Sequence, residues 1–230
     1  MKLPPLSLLR QFDTCRLIPS RYADREDSVL AGIADHTEHL RELFELDNAT
    51  SDRLRAEHGV ASGSGTGIGI DELVFGVPQF RIVNAAFTYA RPEGSRFNGS
   101  DRGAWYCSFE MATALAEVVF HKTVEYQEID RFDDSVSYQA LLADFSGEFH
   151  DLRGARGYVR CLDPRSYIVS QTLAAQLLDA GSMGLIYPSV RCPGGTNLAC
   201  FRPALVGHVR RGASFRLSWS GSPEPKVEAT

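Results

Sequence analysis

Tyr187–Pro203 reads YPSVRCPGGTNLACFRP, and Ser95–His121 reads SRFNGSDRGAWYCSFEMATALAEVVFH. In the later stretch, Pro188 fixes the backbone after Tyr187, and Pro193-Gly194-Gly195 supplies turn chemistry. Short apolar runs on either side predict buried strands at Gly184–Tyr187 and Ala199–Phe201. The earlier stretch predicts a strand over Ala104–Ser108 and a helix over Met111–His121. Ala112, Leu115, Ala116 and Val119 give that helix an apolar stripe, and Ser108 is placed to cap it.

Further strands are expected at Phe80–Val83 and at Tyr138–Phe145, with Ser146-Gly147 as a turn after the second. Asp163-Pro164 opens a helix that runs to about Ala180 and stops at Gly181. His208–Trp219 reads as a terminal hairpin, and the tail SGSPEPKVEAT as disordered. Helices and strands do not alternate strictly, so the class expected is α+β.

The first eighty residues have a different texture. Leu40, Leu43 and Phe44 predict a helix over Asp35–Leu46, and Ser51–His58 predicts another, ended by Gly59. Ala61–Gly69, ASGSGTGIG, reads as a flexible loop. This region carries too few apolar residues for its own core. It is expected to be a helical insertion, about residues 25–78, on a single domain spanning 1–219.

Composition narrows the function classes. The 230 residues are 43% hydrophobic and carry a net charge of −5, which argues against a general nucleic-acid binder. The sequence has no apolar run near the roughly 18 residues needed to span a membrane, and no signal peptide is read. The five cysteines include no CxxC pair, as expected of reduced thiols in a cytoplasm.

Several candidate residues offer chemistry, and each has an ordinary alternative. Glu117 shares a helix face with Thr113 and His121; it is either a solvated carboxylate or a group that orients a substrate hydroxyl. Arg96 is a surface arginine or a fork for phosphate. Tyr106 is a core strand tyrosine or a ring that stacks on a planar ligand. Ser189 and Arg191 are turn residues or contacts to a phosphate or ribose. Asn197 bonds the turn or a ligand. Arg16 and Arg21 in CRLIPSRY, and Arg81 in FRIV, are salt-bridged surface groups or pocket arginines.

Other features fail as motifs. Gly63, Gly65, Gly67 and Gly69 lack the GK[ST] of a P-loop and do not fit GxGxxG. His36 and His39 have helical metal spacing but no third ligand nearby, so no metal is expected. Cys192 and Cys200 flank a glycine turn without a completing ligand.

Taken together, the two opening stretches resemble the RES-domain family, the toxin half of bacterial toxin–antitoxin pairs. The residues that carry the resemblance are Arg96 in SRFN, Tyr106 in AWYCS, Glu117 in TALAEVVFH and Ser189 in YPSVRCPGGTNLACFRP, and it extends over Ala86–Pro203. Arg16 resembles the family's early arginine, with Arg21 and Arg81 as alternatives.

The resemblance implies an ADP-ribosyltransferase-like mixed-sheet core, similar to the catalytic domain of diphtheria toxin. It implies NAD as substrate, with no separate cofactor, and cleavage of the nicotinamide–ribose bond. The ADP-ribose would pass to water, phosphate or a target protein. Glu117 would stabilise the oxocarbenium-like ribosyl cation and orient the 2′-hydroxyl. Arg16 and Arg96 would neutralise the pyrophosphate, Tyr106 would stack on nicotinamide, and Ser189 and Asn197 would line the pocket. A cognate Xre-like antitoxin would cover the active-site entrance, with no membrane or direct nucleic-acid partner. The competing expectation is a non-catalytic nucleotide-binding module.

Overall fold

A computed structural model describes residues 2–23, 38–39, 42 and 67–230. Among the described residues, seven strands form one mixed sheet: β1 (Leu6–Pro19), β2 (Trp105–Ser108), β3 (Asp133–Asp151), β4 (Gly184–Pro188), β5 (Thr196–Cys200), β6 (Gly207–Ser220) and β7 (Lys226–Ala229). Their order is β1-β2-β5-β4-β3-β6-β7, and β1 also pairs along β3. The first five neighbours therefore close into a ring, through one residue pair between β1 and β2, Cys15 with Ser108, and two between β3 and β4. β6 and β7 extend it from β3. Only β3 and β4 pair in parallel; the other pairs are antiparallel. Helices α1 (Ser20–Ala23), α2 (Phe80–Thr88), α3 (Met111–Glu128) and α4 (Ile168–Asp179) accompany the sheet. The α+β class is as expected.

Strand alternation separates the core into two faces. Trp105 and Cys107 of β2, Ile186 of β4, and Leu198 and Cys200 of β5 pack with Val83 and Phe87 of α2. Tyr106, Leu185, Tyr187 and Ala199 face the other way, onto Leu173, Ala174 and Leu177 of α4. A third cluster joins Tyr126, Leu115, Val118 and Val119 of α3 to Tyr138, Leu217 and Trp219. The rings of Phe87, Phe97, Phe149 and Trp105 are fully buried, each contributing about 1.5–3 kcal/mol relative to exposure.

Several local expectations are corrected. FRIV is the first turn of α2, not a strand. Its β-branched character is overridden because Val83, Asn84 and Phe87 recur at helical spacing and bury one face. Asn84 also bonds the N–H and C=O of Val74 at 3.1 and 2.8 Å. Helix α3 runs seven residues past His121, and its cap residue is Glu110. Ser108 instead donates to Asn197 Oδ1 at 2.7 Å. Ala112 is exposed, and Leu115, Val118 and Val119 supply the apolar contact.

Ser146-Gly147 stays within β3, paired with Arg10 and Leu9. Helix α4 starts at Ile168, after a 3-10 segment at Arg156–Leu162. Its end is as expected: Gly181 has φ +74°, and the Gly181 and Ser182 amides return to Leu178 and Leu177, a Schellman motif. His208–Trp219 lies in the single strand β6; the hairpin partner is β7. The tail expected to be disordered thus carries a paired strand.

Of the expected insertion, Glu38, His39 and Glu42 are helical, and Ile70–Glu72 forms a 3-10 turn. The helix over Ser51–His58 and most of the Ala61–Gly69 loop lie outside the described residues.

Candidate functional site

Glu117 sits on α3 facing the ends of β4 and β5. Its Oε1 accepts two hydrogen bonds, from Ser189 Oγ at 2.7 Å and from Asn197 Nδ2 at 2.8 Å. Each donor is itself fixed. Ser189 Oγ accepts the Arg191 and Cys192 N–H groups at 3.1 and 3.0 Å. Asn197, 3% exposed, accepts from Ser108 Oγ. The β2–β5 register sets Ser108 opposite Asn197, and the β4–β5 register sets Tyr187 opposite Asn197. One carboxylate oxygen is therefore held by two strand ends. The other, Oε2, has no hydrogen bond among the described residues.

The turn between β4 and β5 is pressed against α3. The Ser189 amide bonds Gly195 O at 2.8 Å. A Cβ on Gly195 would lie 2.3 Å from Thr113 Oγ1, so only glycine lets the turn come this close to the helix. Glu110 Oε2 completes the seam, accepting from Thr113 Oγ1 at 2.9 Å and from the Thr196 amide at 3.3 Å.

Tyr106 and Arg96 lie on the same face of the sheet. Tyr106 Oη accepts the Phe97 amide at 2.9 Å and donates to Asn98 Oδ1 at 2.8 Å, tying the SRFN turn to β2. Burial raises the Tyr106 hydroxyl pKa above its ordinary value. Arg96, 7% exposed, donates through Nη1 to the carbonyls of Cys161 and Asp163 at 3.3 and 2.8 Å. Its guanidinium lies 4.7 Å from the Tyr167 ring centroid. Among the described residues it has no carboxylate partner. Tyr187 links these groups electrostatically: burial raises its hydroxyl pKa well above the usual value, Tyr106 and Glu117 raise it further, and Arg96 opposes them.

Arg191 adds a second guanidinium. It donates to Pro164 O at 2.8 Å and lies 3.3 Å from the Phe120 ring centroid. It too lacks a carboxylate partner among the described residues. The site thus combines one anchored carboxylate with two unpaired guanidiniums.

The early arginine is placed differently. Cys15 pairs with Ser108, so alternation turns Arg16 toward Trp105 and Cys107, away from the Tyr106–Asn197 face. Arg16 lies 4.9 Å from the Trp105 ring centroid and donates to Tyr106 O at 3.1 Å. Arg21 lies over Tyr22, and Arg81 is on α2 over Phe80. Glu117, Ser189, Asn197, Tyr106 and Arg96 are gathered on one face; Arg16, Arg21 and Arg81 are not.

Sequence reasoning did not find the role of Ser108, which alternation with Tyr106 could have signalled. It also missed a clamp at Glu72. Arg102 donates to both Glu72 oxygens at 2.7 and 2.8 Å and to Phe201 O at 2.7 Å, while Arg202 donates to Glu72 Oε2 at 2.7 Å. These charges fasten the segment before α2 to the FRP end of the second motif. The five cysteines are unpaired, and no group of three metal-ligating side chains occurs among the described residues.

The RES domain matches residues 73–220. The chain belongs to the RES domain family. No curated protein matches it by sequence. Among solved structures, it is similar to a chain of the M. tuberculosis MbcT-MbcA toxin-antitoxin complex, with 13% identity, a TM-score of 0.48, and coverage of 92% of this chain and 87% of that one.

Proposed function

We propose that this RES-domain protein is the toxin of a cytoplasmic toxin–antitoxin pair and cleaves the nicotinamide–ribose bond of NAD. The observation that carries the reading is Glu117, with Oε1 held by Ser189 and Asn197 and Oε2 without a hydrogen bond among the described residues. A fixed carboxylate beside a developing ribosyl cation needs no reorganisation as charge appears, which is the basis of electrostatic catalysis. Oε2 suits a ribose hydroxyl.

Nicotinamide leaves as a neutral base, so the protein has no leaving-group charge to neutralise. The substrate's pyrophosphate is anionic, and Arg96 and Arg191 supply unpaired positive charge at the same site. Tyr106 contributes through its ring, because its hydroxyl is engaged on both sides. Arg16, on the other face, serves the sheet through Trp105 and the Tyr106 carbonyl.

ADP-ribose passes to water, phosphate or a protein, and a cognate antitoxin of the Xre-like kind covers the entrance. The test is incubation of purified protein with NAD, followed by product analysis. Nicotinamide release supports the reading, and free ADP-ribose, a phosphorylated product or labelled protein identifies the acceptor. Binding of NAD with no nicotinamide release would instead favour a nucleotide-binding module.

A further inference from the structure

His121 stands one helical turn beyond Glu117, so the two side chains share a face of α3. Its ring is half-buried, and its nitrogens have no hydrogen bond among the described residues. The ring packs edge-on against Phe120, with centroids 5.4 Å apart and planes at 76°. Phe120 in turn carries the Arg191 guanidinium. The charged groups that face His121 are Glu117 on its own helix, Arg91 after α2, Arg191 in the β4–β5 turn and Arg96 before β2.

Burial depresses the protonated form of the imidazole. Glu117 opposes this, and Arg91, Arg191 and Arg96 reinforce it. The ring is therefore neutral at physiological pH, with one lone pair free to accept a proton. Glu117 cannot easily serve as both ribose anchor and base, because Oε1 is engaged and only Oε2 remains.

We infer that His121 is the general base of the transfer, taking the O–H proton of the nucleophile as its oxygen attacks the anomeric carbon. The inference rests on the NAD-cleaving reading and deepens it. The C1′–N bond breaks, and its electron pair leaves with neutral nicotinamide. The oxygen–C1′ bond forms, the nucleophile's proton moves to the imidazole, and solvent then removes it. The acceptor class this fits is a hydroxyl or water. An ionised phosphate has no need of such a base.

The experiment is nicotinamide release as a function of pH by the 230-residue chain and by His121→Gln, with His121→Asn as a second variant. The wild-type rate should fall on an acid limb below pH ~6.5, the ordinary histidine value. The variants should lose that limb and turn over on the order of 10²-fold more slowly, with KM for NAD nearly unchanged. A proton NMR titration of the wild-type His121 ring, with and without saturating ADP-ribose, reads the same contact without turnover, and the resonances should shift.

A variant that keeps the wild-type rate and acid limb, or a His121 resonance indifferent to ADP-ribose, overturns the base assignment while NAD cleavage stands. Wild-type protein that neither binds NAD nor releases nicotinamide overturns both.

Discussion

Ser189 Oγ donates to Glu117 Oε1 at 2.7 Å across 72 residues of sequence. The contact joins the two motifs into one unit. Asn197 donates to the same oxygen, so the carboxylate is oriented by two groups that β4 and β5 hold in fixed register. This arrangement separates the charge of Glu117 from its structural role.

Glu117→Gln keeps a carbonyl oxygen that can accept both bonds but removes the negative charge. The variant should melt within a few degrees of wild type. Nicotinamide release should fall on the order of 10²–10³-fold, the usual effect of losing one charge-stabilising group. Wild-type turnover by the variant would remove Glu117 from the chemistry.

Asn197→Ala removes the donor to Glu117 and strands the buried Ser108 hydroxyl without its acceptor. The expected cost is about 1–3 kcal/mol in urea unfolding, with kcat lowered and KM little changed. Asn197→Asp should be worse, because it sets a second carboxylate against Glu117. Equal effects of the two substitutions would show that the site does not feel this charge.

How the site assembles was partly legible in the sequence. Arg96, Tyr106, Glu117 and Ser189 were singled out by residue type and by their joint resemblance to a family, and all four converge on one face. Arg16 could not be placed the same way. Its side depends on the Cys15–Ser108 register, a non-local pairing that no window of sequence encodes. The same limit explains Ser108, whose cap-like position before a helix was overridden by a partner on β5. FRIV departs from expectation for a different reason: Phe80, Ile82 and Val83 are β-prone, but Phe87 extends the Val83–Asn84 periodicity into a helix. The β7 tail was missed because its residues are exposed, so pairing with β6, rather than burial, orders them.

Gly195→Ala tests how closely the turn must approach α3. Its Cβ would press on Thr113 Oγ1 and Cγ2 at 2.3 and 2.8 Å and on Cys192 O at 3.1 Å. Relief requires moving the turn outward, which pulls Ser189 from Glu117. We expect about 1–3 kcal/mol of destabilisation together with lost turnover. Gly194→Ala should differ in kind: its Cβ meets nothing, but its φ of +81° makes the backbone strained, so stability should fall by about 1 kcal/mol with the Glu117 contacts intact. Similar loss of activity in both variants would argue against the contact with α3 as the cause.

Glu72 provides a pH test of the fold apart from the site. Hydrogen bonds from Arg102 hold its carboxyl at a pKa of about 2, with Arg202 adding to the effect and burial opposing it. The folded pKa lies below the unfolded value of about 4.3. The stabilisation is therefore fully present above that value and is lost as pH falls toward 2. Arg102 is 5% exposed and Glu72 25%, so removing the anion leaves a buried guanidinium uncompensated. Glu72→Gln should cost about 2–3 kcal/mol at neutral pH, allowing for solvent screening at the Glu72 side. Urea midpoints of wild type and variant should converge as pH is lowered from about 5 to 2, because protonation removes from wild type the charge that the variant already lacks. A gap that stays constant over that range would mean that packing, not charge, fastens this segment to Arg102 and Arg202.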